Sequence, residues 1–303
     1  IEKIKGLEGW KKQLEQKAAQ QAEVDAEAEA EKKRNEDEAA GADPNPNPKR
    51  TDADINAAAK EWVADQTKAE AKYGHISDWD TSAVTSFSQL FMEASSFNSD
   101  LSKWDVGQGT NFDLMFGHAS SFTSDLSKWN VSEVTDFSNM FYDASSFTSD
   151  LSKWDVGQAT SLWGMFAGAS LFTSDLSNWN VSKVTNFTYM FRSASTFTSD
   201  LSNWNVSEGT NFSCMFMEAS AFTSDLGKWD VGAGTGFRYM FYGASSFDSD
   251  LSGWSIEKAG DMEDMFTDAT AFNKGDNIEK IKGLEGWKKQ LEQKEAAQQA
   301  EVE

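Results

Sequence analysis

The hydrophobic positions of this chain recur every 25 residues over most of its length. One column is tryptophan, at Trp79, Trp104, Trp129, Trp154, Trp179, Trp204, Trp229 and Trp254. Leucine keeps the same step from Leu101 to Leu251, and phenylalanine keeps it from Phe91 to Phe266. Self-similarity at a fixed period of a few tens of residues is the signature of stacked repeats, so the pattern predicts a solenoid of about eight 25-residue coils.

Within one coil, the apolar spacing that starts at Leu126 is L-x-x-W-x-V. This spacing is similar to that of leucine-rich repeats, in which a short strand sends alternate side chains inward. Trp129 and Val131 then face the core, and Asn130 faces outward. The first half of each coil is therefore predicted to hold a short parallel strand.

The second half of the coil predicts a short helix over residues 137–144. Apolar side chains at i, i+3, i+4 and i+7 share one helical face, and here they are Phe137, Met140, Phe141 and Ala144. Thr135 precedes them as a candidate N-cap. The predicted fold class is an α/β repeat solenoid that is leucine-rich-repeat-like, with a short parallel strand and a short helix per coil and with flanking helices.

The repeat itself resembles a known family. Residues 79–85 read WDTSAVT, residues 122–135 read FTSDLSKWNVSEVT, and residues 140–147 read MFYDASSF. These strings resemble the BspA-like surface-protein repeat, first catalogued in mycoplasma lipoproteins as a domain of unknown function and abundant in marine algae. The resemblance covers about residues 55–274. It implies a leucine-rich-repeat-like solenoid, often on cell surfaces, and hence an extracellular or cell-surface location, with no known enzymatic activity and no catalytic residues to transfer.

Net charge and rare residues exclude several classes of function. The net charge of −22 opposes binding to nucleic acid, because phosphate contacts need clustered Lys and Arg. No apolar run approaches the roughly 18–20 residues of a membrane-spanning helix, so membrane insertion is not expected. One cysteine, Cys214, and two histidines, His75 and His118, argue against a disulfide framework or a metal centre of several Cys or His. Neither Cys214 nor His75 has a catalytic partner at a recognisable spacing, so an enzyme is not expected.

An aspartate precedes the leucine of almost every coil, and this column has two interpretations. It consists of Asp100, Asp125, Asp150, Asp175, Asp200, Asp225 and Asp250. In the first interpretation each carboxylate caps backbone N–H groups at a turn. In the second, the row of carboxylates binds calcium. Spacing alone leaves both open, and no other cofactor is expected.

The two ends of the chain repeat each other. Residues 1–17 and 278–294 both read IEKIKGLEGWKKQLEQK. The simplest interpretation is one unit of a longer tandem array, cut just past the start of the next unit; the alternative is a single protein with duplicated terminal docking helices. The motif is amphipathic, and its apolar positions are predicted to dock on the open end of a coil stack. They are Ile4, Leu7, Trp10 and Leu14 in the first copy, and Ile278, Ile281, Leu284, Trp287 and Leu291 in the second.

These features predict an order of five segments along the chain. They are a docking helix at 1–17, an acidic Ala/Glu-rich spacer, helical or disordered, with a proline hinge at 18–50, an N-terminal cap at 51–76, the solenoid at 77–275, and a second docking helix with the start of the next spacer at 278–303. In the cap, a helix from 58 to 73 is predicted to place Trp62 and Val63 against the first coil.

The predicted function is a non-enzymatic structural protein whose units join in tandem or polymerise into filaments through the repeated helix, because a helix that covers a neighbour's open end makes a contact that does not close. One alternative is a cell-surface adhesion or ligand-binding solenoid that acts through its outward strand face, where Lys103, Lys128 and Lys153 lie in one column. Another is a multivalent scaffold or linker whose docking helix binds another protein.

Two further sets of residues suggest surface chemistry. A threonine row on one face is the arrangement that ice binding would need, and it consists of Thr123, Thr148, Thr173, Thr198 and Thr223. Five asparagines begin N-x-S/T sequons and would accept glycans in a eukaryotic secretory pathway. They are Asn130, Asn180, Asn186, Asn205 and Asn211. A Ser/Thr-rich repeat also produces such sequons without any glycan being attached.

Overall fold

The computed structural model describes residues 49–274 together with Ile281. Its regular elements are β1 (Lys49–Thr51), α1 (Ile55–Ala64), α2 (Gln66–Tyr73), a 3-10 turn (Ile76–Asp78), β2 (Asp80–Ala83) and a second 3-10 turn (Phe272–Lys274). β1 pairs with β2 in parallel, with Lys49 opposite Asp80. Because β1 starts at Lys49, the spacer predicted for residues 18–50 extends slightly too far.

The cap contains two helices where the sequence predicts one over residues 58–73. Asp65 interrupts them with extended backbone angles (φ −154°, ψ 93°), and its side chain accepts the amide of Lys68 at 3.1 Å, which caps the start of α2. Trp62 is buried as predicted, but Val63 is 44% exposed, so the prediction that both face the first coil is wrong for Val63. Consecutive residues of a helix point about 100° apart, and the narrow face that α1 buries holds only Trp62 of the two.

Residues 76–274 form successive 25-residue repeats that lie side by side, and we call them the repeat stack. Positions within a repeat are numbered from its first residue, which is Ile76, Leu101, Leu126, Leu151, Leu176, Leu201, Leu226 or Leu251. Parallel bridges join position 11 of neighbouring repeats, from Ser86–Asn111 to Gly236–Asp261. Amides at positions 12, 14, 16 and 18 donate to carbonyls of the next repeat, as Phe141 N does to Met165 O at 2.9 Å. Hydrogen bonds therefore run along the stack from repeat to repeat.

The short helix predicted in each coil is not formed in the described repeats. Positions 12–15 and 16–19 form two successive turns, in which Met140 N donates to Phe137 O and Ala144 N donates to Phe141 O, both at 3.1 Å. The third residue of each turn has a positive φ, 53° at Asn139, as in a type II turn. Two such turns bury residues at i, i+3, i+4 and i+7, as a helix does, so the apolar pattern does not distinguish the two structures.

The L-x-x-W-x-V segment is not a strand either. Trp129 and Val131 are buried and Asn130 is exposed, so the predicted alternation of side chains is present. The backbone forms turns, however, because Trp129 N donates to Leu126 O and Val134 N donates to Val131 O, both at 3.0 Å. These amides are used inside the repeat, and the parallel pairing lies at position 11 instead.

Columns of aromatic rings fill the core of the repeat stack. Phe141 stacks on Phe166 of the next repeat at a centroid distance of 5.7 Å with 4° between the rings. Trp129 and Trp154 are 6.5 Å apart and 3° from parallel. Trp154 also donates its Nε1 hydrogen to the carbonyl of Leu126 in the preceding repeat at 3.0 Å. Each repeat thus supplies packing and hydrogen-bond partners to its neighbours, which is how stacked repeats acquire stability.

Candidate binding groove

Four positions of the repeat vary while the residues beside them stay nearly constant. Positions 12, 15, 16 and 19 are Phe, Met, Phe and Ala in almost every repeat, and their side chains are buried. Positions 13, 14, 17 and 18 are the central residues of the two turns, and they change freely. Position 14, for example, is Gln89, Leu114, Asn139, Gly164, Tyr189, Cys214, Tyr239 and Asp264. We call the surface formed by these four positions the variable face.

A groove of about 590 Å³ lies on the variable face. Position 14 supplies half of its lining, namely Leu114, Asn139, Tyr189, Cys214 and Tyr239. Positions 13, 17 and 18 supply the other half, namely Trp163, Tyr142, Arg192, Met217 and His118. All of these residues occupy the four variable positions, and they come from six consecutive repeats. The constant columns of the sequence do not reveal this groove. The signal in the sequence that indicates it is the variation at the positions between those columns.

The backbone at position 14 is strained for the residues that occupy it. Tyr189 has φ 60°, and Leu114 and Tyr239 have φ 54°. This left-handed conformation costs a residue with a Cβ atom roughly 1–2 kcal/mol, and a type II turn prefers Gly or Asn there. Gly164 occupies the same position in another repeat. The fold therefore does not require large side chains at position 14, and their presence points to a role outside folding.

The groove exposes aromatic surface in a chain that buries most of its rings. Trp163 is 41% exposed and Tyr189 is 37% exposed. Every other tryptophan between residues 49 and 274 is at most 4% exposed. Large exposed rings next to one another mark interaction surfaces more often than single exposed apolar residues do.

The cysteine and the histidine of the groove lie far from each other. Burial raises the pKa of the Cys214 thiol. A hydrogen bond between Tyr189 and Cys214 raises the pKa of the Tyr189 hydroxyl. His118 lies 3.4 Å from Asp143. Cys214 and His118 are four repeats apart, roughly 19 Å at the spacing of paired backbones, whereas a nucleophile and its base must be within hydrogen-bond reach.

Two arginines lie at the variable face. Arg238 pairs with Glu263 at 2.7 Å and lies over the ring of Tyr239, 4.8 Å from its centroid. Arg192 lines the groove, and no carboxylate within residues 49–274 forms an ion pair with it. Its guanidinium group carries five N–H donors.

The aspartate column caps turns, as the first of its two interpretations predicts. Each carboxylate accepts the amide two residues later, as Asp175 does from Ser177 at 2.9 Å. These backbone hydrogen bonds, followed by hydrogen bonds from side chains, lower the pKa of the aspartate. Buried serines at position 24 connect the column to the next repeat, because Ser199 donates to Asp175 at 3.2 Å and accepts Leu176 N at 2.8 Å. Within residues 49–274 no group of three or more His, Cys, Asp or Glu is placed to hold a metal ion.

The other predicted surface residues lie apart from the groove. Lys103 forms an ion pair with Asp78 at 3.2 Å, and Asp78 occupies the same position in the preceding repeat. The threonines from Thr123 to Thr223 are exposed, and so are the sequon asparagines Asn130, Asn180 and Asn205. Asn186 and Asn211 are half-buried, because they form the parallel bridges at position 11. Adhesion through the lysines, ice binding and glycosylation stay predictions.

Most of the predicted docking residues lie outside the described part of the chain. These are Ile4, Leu7, Trp10, Leu14, Ile278, Leu284, Trp287 and Leu291. Ile281 is described; it is 3% exposed and belongs to the same hydrophobic core as the repeat stack. No helix among the described residues is both long and apolar enough to cross a membrane.

Comparison with known proteins identifies one family. The sequence model of a Mycoplasma protein of unknown function, DUF285, matches residues 60–179 and again residues 160–281. The two matches together span most of the chain, and they confirm the resemblance to the BspA-like repeat. No curated protein and no solved structure matches the chain.

Proposed function

This chain belongs to the DUF285 family of Mycoplasma proteins of unknown function, and from that premise we propose its function. We propose that it is a non-enzymatic binding module, built as a repeat solenoid, that recognises its ligand through the groove on the variable face. An extracellular or cell-surface location is part of the proposal and rests on the family resemblance alone.

One observation carries this proposal. Every residue that lines the groove occupies a position at which the repeats differ, while the buried positions of the same turns are kept. A repeat array that only needs to stack gains nothing from such differences, because each turn forms equally well with Gly or Asn at its third residue. Stacked repeats that bind a partner use the variable side chains of one face for specificity.

The composition of the groove supports recognition. Aromatic residues, Met and Arg are enriched at binding interfaces, and the groove contains all three kinds in Tyr189, Met217 and Arg192. The lysine column named in the sequence analysis is a weaker candidate, because Lys103 is already paired with Asp78.

A screen with two kinds of probe tests the proposal. The full chain is presented to a displayed peptide library and to a panel of immobilised oligosaccharides, and every selected ligand is retested on two variants. The groove variant is Trp163→Ala combined with Tyr239→Ala, and the control is Lys103→Ala combined with Lys128→Ala. We expect ligands that lose binding to the groove variant and keep it with the control. The proposal would be overturned if every selected ligand bound the groove variant as tightly as the wild type, or if neither library yielded a ligand.

Assembly through the repeated terminal segment is a second candidate function. Residues 278–294 repeat residues 1–17, and Ile281 of the second copy is buried in the core of the repeat stack. Ile4 occupies the same position in the first copy. Because the two segments are identical, the first copy is expected to bind a repeat stack in the same way, and that stack would belong to another unit.

Sedimentation velocity tests the assembly. The full chain is expected to self-associate as its concentration rises, and Trp10→Ala is expected to abolish association without changing the melting temperature. Monomers at every concentration would exclude self-assembly of this chain, and association that survives Trp10→Ala would assign it to another surface.

A further inference from the structure

We propose that the groove on the variable face binds a neutral, linear oligosaccharide. This inference rests on the proposed binding function and names the chemical class of the ligand. A pyranose ring presents aliphatic C–H groups on its faces and hydroxyl groups around its edge. The groove presents a complementary surface, which consists of exposed aromatic rings beside hydrogen-bonding groups that carry no negative charge.

Three of the aromatic rings of the groove come from adjacent repeats in the middle of the stack. Trp163 in repeat 4 and Tyr189 in repeat 5 are the most exposed, and Tyr142 in repeat 3 lines the same groove. The face of an aromatic ring carries negative quadrupole charge, which attracts the weakly positive C–H groups of a sugar. Because Tyr189 is held at φ 60°, its backbone is strained where Gly or Asn would relax it, as expected for a side chain retained for binding.

The backbone of the groove argues against an extended peptide as the ligand. A peptide that adds to a sheet edge needs unpaired N–H and C=O groups. In the groove the amides are already used: Tyr189 N donates to Ser213 O at 3.0 Å and Cys214 N donates to Arg238 O at 2.8 Å. The amide of each of the other lining residues also donates a hydrogen bond, Trp163 N through a long 3.4 Å contact with Ser161 Oγ. Recognition must therefore come from side chains.

The charges of the groove favour a neutral ligand. None of the lining residues is acidic, and Arg192 is the one permanently charged side chain among them. The chain as a whole carries −22, which disfavours an anionic polysaccharide through long-range repulsion. Arg192, Asn139 and the tyrosine hydroxyls supply donors and acceptors that suit sugar hydroxyls. A strongly basic ligand finds no carboxylate in the lining to pair with.

The extent of the groove favours a chain of several sugars over a single one. Its lining starts at Leu114 in repeat 2 and ends at Tyr239 in repeat 7. Five steps between paired backbones make it on the order of 24 Å long. A ligand that follows the stack axis meets side chains from successive repeats, so affinity should grow with ligand length.

Titration calorimetry on the full chain tests the inference. The probes are neutral oligosaccharides of two and six units (β-1,4-glucan, β-1,3-glucan, β-1,4-mannan and chitin), an alginate hexamer as the anionic probe, and a proline-rich decapeptide. We expect at least one neutral hexamer to bind, and to bind more tightly than its disaccharide. Trp163→Ala and Tyr189→Asn should each weaken that binding by about tenfold or more, the loss typical of a central aromatic contact.

Two further variants separate binding from folding. Trp163→Phe keeps an aromatic face and should retain most of the affinity, while Lys128→Ala lies outside the groove and should change nothing. Trp163 is the exposed tryptophan of the described chain, so the ligand should protect wild-type fluorescence from iodide quenching and have a smaller effect on Trp163→Phe. Failure of every neutral hexamer, or binding that Trp163→Ala and Tyr189→Asn leave unchanged, overturns the inference. Binding of the decapeptide alone at this groove also overturns it, while the proposed binding function survives.

Discussion

Replacing Ser174 with alanine removes the hydrogen-bond acceptor of a buried backbone amide. The hydroxyl oxygen of Ser174 accepts Leu151 N at 2.8 Å, and the hydroxyl donates to Asp150 at 3.4 Å. Between residues 49 and 274, the amide of Leu151 forms no hydrogen bond with another backbone group. The same link recurs along the repeat stack, so Ser174 represents a row of serines that each accept the first amide of their own repeat.

The size of the effect follows from the burial of this amide. Leu151 is fully buried and Ser174 is 8% exposed, so water does not reach the site easily. A buried donor left without an acceptor costs about 1–3 kcal/mol. The long contact with Asp150 adds little, because Asp150 keeps the shorter hydrogen bond from Ser152 N at 2.9 Å. We therefore expect Ser174→Ala to lower the free energy of unfolding by about 2 kcal/mol.

Thermal unfolding followed by circular dichroism measures this loss. For a folded unit of this size, 2 kcal/mol corresponds to a fall in melting temperature of roughly 4–8 °C. Hydrogen exchange supplies a local readout, because the Leu151 amide should lose protection more than its neighbours do. Ser195→Ala is the matched control: the Ser195 hydroxyl is exposed and donates to Ser170 O at 3.4 Å, so its loss should stay within about 0.5 kcal/mol.

The reasoning fails if Ser174→Ala and Ser195→Ala have the same stability. It also fails if the Leu151 amide exchanges at its wild-type rate in Ser174→Ala, since that amide would then have a different acceptor. A loss of stability spread over all amides, with no preference for Leu151, would show that the hydroxyl acts through packing alone.

Three further predictions concern the turns and the cap. Hydrogen bonds lower the pKa of Asp175 below its usual 3.8, so the contribution of Asp175 to stability is complete above pH 3.8 and is lost as the pH falls through the lowered pKa. When the melting temperature is measured against pH, Asp175→Asn should therefore show a smaller fall at acid pH than the wild type. An equal fall in both proteins would contradict this prediction. Gly168 (φ 71°) leaves no room for a Cβ atom beside a carboxylate of the neighbouring repeat, whereas a Cβ atom at Gly243 (φ 66°) meets its nearest neighbour at 3.5 Å. Gly168→Ala should therefore destabilise the protein more than Gly243→Ala, which carries only the backbone penalty of about 1–2 kcal/mol, and equal urea midpoints would show that the contact does not matter. Trp62→Ala should cost about 3–5 kcal/mol because the indole is buried, while the exposed Val63→Ala should stay within about 0.5 kcal/mol; equal effects in thermal unfolding would refute the assignment of the cap's buried face.

The candidate site was only partly accessible from the sequence. Cys214 and His118 were visible as rare residues, but nothing in the chain order indicated that both line one groove with Trp163. Their spacing is set by stacking, which brings together residues that lie 25 or more positions apart in sequence. The variation at position 14 was present in the sequence, yet its meaning depends on the turn that points those side chains out of the core.

The sequence by itself determined the period of 25 residues and the columns that are buried, and it offered turn capping as one of two roles for the aspartates. These properties follow from local rules: an inward column must be apolar, and an Asp two residues before a free amide can cap it. The tertiary structure decided that residues 137–144 form two turns and no helix, because the amides of Asn139 and Asp143 donate to the next repeat at 2.7 Å. That choice depends on partners supplied by another part of the chain, and the same choice directs the central residues of both turns outward to form the groove.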